Sequence, residues 1–314
     1  MSRGDRLRAQ EAALRRLFLD PEPPLLAVEV RRQALAAVRL VREGGRLRLA
    51  AAASFDLPEG VVELSLTRPN VLDAAAFRRA LDSLLERVGA LEAGRAALVL
   101  PDAVLRLALV PAGEVKPRRR AEMEELVRFR LHKALPFDVR ESRLSWAGPQ
   151  AGQLLVAAIF KPVLESYEKV LVEAGLEPGL VEPTALALLA GEETSEGDRL
   201  LVNWDEGYVS LIVARSGWPL VVRTLSGGLG AEAVAREVGN TVLYYHEKLG
   251  GKGLDGAALR SAFLPAEEAA LLLRDPIGFA PEVVDPGGKL GLDVESATAQ
   301  AVAGAVSCLV GRAA

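Results

Sequence analysis

The turn Asn203-Trp204-Asp205-Glu206-Gly207 joins two apolar strands within LLVNWDEGYVSLIVARSGWPLVVR, residues 200 to 223. A tight turn at the mouth of such a hairpin can wrap a phosphate with its backbone N–H groups while an acidic side chain holds a metal ion. Here Asp205 and Glu206 would set two negative charges beside that phosphate, which is repulsive. Other chemistry is thin. His132 and His246, the only histidines, each fall on an expected helix and lie far apart in sequence, which favours exposed faces over a metal site or a catalytic triad. Trp146, Trp204 and Trp218 are spread along expected strands, where packing is the simpler role. Trp204 is the exception, placed to plug a cleft at the hairpin mouth. No catalytic residue and no metal site is assigned.

The elements that must position this turn come from a chain of 314 residues, 50% of them hydrophobic, enough for a large core and about two domains. A net charge of -4, from 38 basic and 42 acidic residues spread along the chain, gives no field that favours nucleic acid. The single cysteine, Cys308, sits in an Ala-rich stretch and forms no internal disulfide, which points to a reducing compartment. The longest apolar run, Leu154 to Phe160, is far short of the ~18 residues of a membrane span, and the N-terminus lacks the apolar region of a secretory signal. The expected location is the cytoplasm. Leu7, Leu14, Leu17 and Phe18 recur on one side of an expected helix among arginines, a face small enough to dock on its own protein or a partner rather than on lipid.

After Pro21-Glu22-Pro23-Pro24, short strand-like segments follow, two of them joined at Gly44-Gly45. DAAAFRRALDSLLERV, residues 73 to 88, spaces Phe77, Leu81, Leu84, Leu85 and Val88 as one helical face behind an Asp73 cap. Another strand, AALVLPDAVLRLALVP, completes an expected antiparallel sheet with one helix. From Pro117 a small α-β-β-α-β unit looks inserted. It comprises a helix striped by Met123, Leu126, Val127, Leu131 and Leu135, a strand pair around 143–146 and 153–160, and a helix over Val163 to Ala174 that runs into a short strand. From Glu182 the opening pattern restarts, so a duplicated architecture with a unit inserted in the first copy is expected.

Four stretches carry a resemblance to a known family. LAVEVRRQALAAVRLVREGGRLRLAAAASFDLPEG, RRRAEMEELVRFRLHKALPFD, LLVAAIFKPVLESYEKVLVEAGLEPGLVEPTALAL and LLVNWDEGYVSLIVARSGWPLVVRTLSGGLG occur in order and at the expected spacings. Together they resemble the PilM-type type IV pilus assembly proteins of the actin/Hsp70/FtsA superfamily, over nearly the whole chain after residue 24. The resemblance implies an α/β actin-like ATPase fold of two duplicated domains. Its expected boundaries are a helical extension at 1–20, a first subdomain at 24–116, the inserted subdomain at 117–182, and a second domain at 183–314 with its own insertion at about 227–285.

The resemblance also implies a nucleotide cleft between two phosphate-wrapping turns built from Gly, Ser or Thr. At the first turn this chain carries Glu29, Val30, Arg31, Arg32 and Gln33, so two bulky arginines stand where small residues would let the backbone approach. At the second, Asn203 lacks the magnesium-binding charge, Asp205 and Glu206 add repulsion, and Gly207 remains. The third element, a Gly-Gly turn for adenosine, falls on Ala257 to Phe263, which contains no glycine. Glu182 and the pair Gly227 and Gly228 stand as the family would have them. The hairpins therefore read as retained architecture with lost or weakened nucleotide chemistry. No cofactor is expected, and ATP with magnesium would enter only if the degenerate site still works.

What the resemblance implies for function is a cytoplasmic adaptor at the inner membrane, held there through partners. It would bind the N-terminal tail of a PilN-like membrane protein in a groove between the first domain and the inserted subdomain, with pilus motor ATPases as further partners. A working ATPase that uses Glu29, Arg31, Arg32 and Asp205, and the cytoplasmic component of a type II secretion or competence system, are the alternatives.

Overall fold

The computed structural model describes residues 24–92, 94–113, 119–192, 195–285 and 296–311. The helical extension expected at 1–20 lies outside the described residues. Two five-stranded sheets carry the fold, and they have the same order. In the first half, β1 (Leu26–Val30), β2 (Ala34–Glu43) and β3 (Arg46–Asp56) form an antiparallel meander, α1 (Ala74–Arg87) follows, and β4 (Arg95–Leu100) returns parallel to β1.

Between β4 and the next helix lies the inserted unit: β5 (Arg106–Pro111), α2 (Arg120–Leu131), β6 (Ser142–Gln150) and β7 (Gln153–Phe160). Its sheet has the order β5-β7-β6. The first half then resumes with α3 (Lys161–Glu173), β8 (Glu177–Pro183), which lies parallel beside β4, and α4 (Thr184–Gly191).

The second half repeats the plan without that insertion. β9 (Asp198–Asp205), β10 (Tyr208–Arg215) and β11 (Trp218–Ser226) form the meander, and α5 (Ala231–Leu249) leads to β12 (Gly256–Ser261) parallel to β9. Then come α6 (Ala266–Ile277), β13 (Glu282–Val283) and α7 (Ser296–Val310). The two sheets read β3-β2-β1-β4-β8 and β11-β10-β9-β12-β13, so the duplication inferred from the restart of the pattern is real.

The boundaries expected at 117 and 182 do not coincide with this arrangement. β5, read as part of the first sheet, pairs antiparallel with β7 across Arg106–Pro111 and Gln153–Phe160, because the edge of β7 is its available partner. Conversely, α3 and β8, read as part of the insertion, are the counterparts of α6 and β13. Val163, Tyr167, Val170 and Leu171 of α3 pack into the first core beside Phe77, Leu81 and Leu84. Each of those aliphatic burials is worth roughly 1.5–3 kcal/mol.

Strand alternation decides what each sheet face holds. In the first sheet Val28, Val30 and Leu98 face α1 and α3, while Ala27, Val38 and Val99 face Val302 and Val306 of α7. In the second, Leu200, Val202 and Trp204 join the core with Val234 and Val238 of α5 and Leu273 of α6. Leu201, Ile212 and Ala258 face α4, through Ala185 and Leu188, and Ala303 of α7. Helices α4 and α7 therefore lie between the two sheets, so the final helix, assigned by sequence to the second domain, packs largely on the first. Asp73 caps α1 as expected, accepting from the Ala76 N–H at 2.9 Å. Among the described residues no helix is long and apolar enough to cross a membrane.

Candidate functional site

The inward-facing set Ala27, Leu201 and Ala258 ends, two residues further along each strand, in Glu29 of β1, Asn203 of β9 and Arg260 of β12. Period-two alternation thus delivers three polar groups to the space between the halves, and Asp205 follows Asn203 on the same face. Arg260 is 0% exposed and lies at the centre. Its Nη2 donates to Glu29 Oε1 at 2.8 Å, and its Nη1 donates to Asp205 Oδ2 at 2.6 Å and to Asn203 Oδ1 at 3.0 Å. Its Nε donates to the Gln300 carbonyl of α7 at 3.0 Å.

Arg31, in the turn after β1, reaches the same carboxylate from the other half: Nε and Nη2 donate to Asp205 at 3.0 Å each, and Nη2 also donates to the Ala262 carbonyl. Beside it Arg32 and Glu206 lie 3.6 Å apart at the half-exposed rim. The two arginines of one turn thus meet the two acids of the other.

Behind this layer, Asn203 Nδ2 donates to Asp102 Oδ2 at 2.8 Å, and Asp102 Oδ1 accepts from the Ala185 N–H at the start of α4 at 2.9 Å. The orientation of the Asn203 amide follows from chemistry, since a guanidinium only donates and must face its oxygen. Glu29 Oε2 accepts from the Ala305 N–H at 2.9 Å. Gly304 permits this approach: a Cβ there would stand 2.7 Å from that same oxygen.

The charges follow from these contacts. Burial pushes the Glu29 carboxyl up from its ordinary value, against the opposing pull of Arg260 and Arg31. Burial likewise pushes up Asp102, against the Ala185 N–H and the Asn203 amide. For Asp205 burial acts in the same direction, but the Arg31 and Arg260 guanidiniums together outweigh it and hold the carboxyl well below the usual carboxylate range. Arg260 is held firmly charged: burial opposes it, and Asp205 and Glu29 overcome that.

The expected site residues divide accordingly. Glu29, Arg31, Asn203 and Asp205 are brought together. Gly207 (φ 83°) and Gly227 (φ 114°) form the turn region at the rim, where the Gly227 N–H donates to the Gly207 carbonyl at 3.3 Å, and Gly228 follows with φ 70°. Gln33 is exposed and outside the network. Glu182 lines a different cleft. Trp204 does not plug the mouth. It is 1% exposed in the second core, because alternation turns it away from Asn203 and Asp205. Sequence reasoning missed Arg260 and Asp102. The signal for Arg260 was a lone cation alternating with Ala258 inside the otherwise small and apolar strand GAALRS. The two histidines are exposed, each with Nδ1 against a nearby carbonyl.

These residues do not fit a magnesium nucleotide. Asp205, the carboxylate of the network held well below its ordinary range, is already paired with two guanidiniums, and the polar side chains between the two turns bond to one another. Among the described residues no group of acidic, histidine or cysteine side chains is arranged to hold a metal ion. Beside the network a cleft of about 460 Å3 runs along Arg31, Ala262, Phe263, Leu264 and Ala301, and its walls are mostly apolar.

A second cleft, of about 530 Å3, lies between the inserted sheet and the rest of the molecule. Ala147, Leu155 and Ala157 of that sheet form one wall, Leu186 and Leu189 of α4 with Glu182 of β8 a second, and Trp218 and Pro219 at the start of β11 a third. Leu155 is half-buried with no core of its own, because Val110, Leu154 and Val156 take the opposite face of the sheet against α2.

No protein-family model matches the sequence, and comparison with curated proteins finds no match. Among solved structures, the chain is similar to one in the PilM-PilN type IV pilus biogenesis complex, at 23% identity and a TM-score of 0.73, covering 93% of this chain and 98% of the other. It is also similar to a Bacteroides thetaiotaomicron protein with an actin-like ATPase fold, at 9% identity and a TM-score of 0.51, covering 86% of this chain and 93% of the other. The fold is therefore the actin-like ATPase fold expected from the four sequence stretches.

Proposed function

We propose that this chain is a cytoplasmic adaptor of a type IV pilus platform at the inner membrane, which binds the tail of a PilN-like membrane protein and does not use nucleotide. The observation that carries the nucleotide half of this reading is Arg260, buried between the two hairpins and bonded to carboxylates from both halves. A polyanion entering there would have to break two ion pairs and leave Glu29 and Asp205 facing its own negative charge, a repulsion that low dielectric magnifies.

The pilus setting is supported by a likeness that spans nearly all of both chains. The adaptor role is supported by the cleft lined by Leu155, Leu186 and Trp218. An extended peptide with small apolar side chains would bury them there and could add main-chain hydrogen bonds. Coupling of the membrane subunit to the motor ATPases would follow from holding that tail.

The test is calorimetric titration with a synthetic tail of the Asn-Leu-Leu-Pro type. Saturable binding without nucleotide is expected, and Leu155→Arg should weaken it at least tenfold. Absence of binding by the wild-type chain would remove the adaptor reading.

A further inference from the structure

We infer that the ion pairs between the two halves form a ligand-independent latch, which fixes the angle between the halves and thereby the shape of the cleft between Leu155 and Trp218. The latch itself follows from the geometry of the network, and only its effect on a partner rests on the adaptor reading above.

The links run in both directions. The first half gives Arg31 to Asp205 of the second, and the second gives Arg260 to Glu29 of the first. Arg32 with Glu206 repeats the exchange at the rim, and Asn203 donates to Asp102 behind it. Helix α7 forms the floor, since the Ala305 N–H and the Gln300 carbonyl hold Glu29 and Arg260 from below. Each half thus keeps the other's charge neutral. Separating them would leave Glu29, 0% exposed, without its Arg260 partner and would take Arg31 from Asp205, while Arg260 kept only Asp205 of its own half. A cleft held by a diffusible ligand opens when the ligand leaves. Here the bridging groups are covalently part of the chain and stay in place.

The latch sits at one end of the β9–β10 hairpin, at Asp205 and Tyr208, and Trp218, the first residue of β11, pairs with Arg215 at the other end. Eight residues of strand separate them, about 25 Å at the usual rise. Trp218 belongs to the second half, whereas Leu155 belongs to the unit inserted in the first. The two hairpin tips touch closely: a Cβ on Gly148 would lie 2.8 Å from the Trp218 ring. A rotation that parted Arg31 from Asp205 would therefore also shift Trp218 against the inserted sheet.

The test is the distance between nitroxide labels on Arg79→Cys in α1 and Lys248→Cys in α5, both exposed positions, in a Cys308→Ala background. Pulsed electron resonance should give one narrow distance that Mg-ATP leaves unchanged. In Arg260→Met the distribution should broaden or shift. Arg31→Met, at the rim and 13% exposed, serves if the first variant does not fold. Narrow and unshifted distances in folded samples of these variants would overturn the latch. At least a fivefold loss of tail-peptide affinity in the same variants would support its coupling to the cleft, and unaltered affinity beside a broadened distance would overturn that coupling. A wild-type chain that ignores the peptide would remove the adaptor reading and leave the distances to decide the latch alone.

Discussion

Arg260 Nη2 lies 2.8 Å from Glu29 Oε1, although the two residues are 231 positions apart, sit in different sheets and expose no surface. Removing one partner of such a pair leaves an uncompensated buried charge. Arg260→Met should therefore cost roughly 3–5 kcal/mol. Adding Glu29→Met should recover a large part of that loss, because apolar groups of similar volume can replace a buried ion pair at little net cost. Urea unfolding of the two single variants and the double variant measures this, and a single-variant loss below ~1 kcal/mol would mean the network is not a unit.

Gly304 is the point where α7 approaches Glu29. Alanine favours a helix over glycine by about 1 kcal/mol, so Gly304→Ala would stabilise an ordinary helix. Here the added Cβ meets the Glu29 carboxylate, with its three atoms 2.7 to 2.9 Å away. Overpacking of this kind costs about 1–3 kcal/mol, so a net loss of stability is expected in thermal unfolding. A gain would show that the carboxylate yields freely.

Tyr167 carries the opposite expectation. Its hydroxyl is buried in the first core and is a side-chain polar atom with no hydrogen-bond partner. Burial alone pushes its ionisation far above the ordinary value. Deleting an unsatisfied hydroxyl removes a desolvation cost of about 1–3 kcal/mol, so Tyr167→Phe should leave stability unchanged or raise it. A loss above ~1 kcal/mol in chemical denaturation would show that a water or another group serves that oxygen.

The pH dependence follows from three carboxyls facing two guanidiniums, Glu29, Asp102 and Asp205 against Arg31 and Arg260. One surplus negative charge remains when all are ionised. Asp205 stays ionised, and Glu29 and Asp102 are pushed above their ordinary values of 4.5 and 3.8. A carboxyl whose folded value is raised stabilises the fold below its unfolded value, and that contribution is lost as pH rises through the folded value. Asp102→Asn should therefore reduce the fall in unfolding free energy as pH rises above the ordinary Asp value of 3.8, whatever its effect at any one pH. An unchanged slope would show that Asp102 gives up its proton as it does in the unfolded chain.

Much of the fold was legible because it is local. The Asp73 cap and the spacing of Phe77, Leu81 and Leu84 gave α1, and the repeated strand-turn-strand pattern gave the duplication. The pairing of β5 with β7 was not legible, since an apolar strand does not name its neighbour. The site was read in parts. Arg31-Arg32 and Asp205-Glu206 each stand out in the sequence as charges in a tight turn, but neither pair names the other as its partner. That they answer one another is a contact across 174 positions, which spacing cannot show. Arg260 belongs to no motif, although its alternation with Ala258 in the strand GAALRS already aims a cation at the inward face.

We propose that the chain's own side chains stand in place of nucleotide between the hairpins. Calorimetric titration of the intact protein with Mg-ATP tests it most directly. The account predicts no saturable heat into the millimolar range, with or without magnesium. Magnesium-dependent binding that Arg260→Met abolishes would contradict it, for Glu29, Arg31, Asp205 and Arg260 would then be a working site rather than a latch.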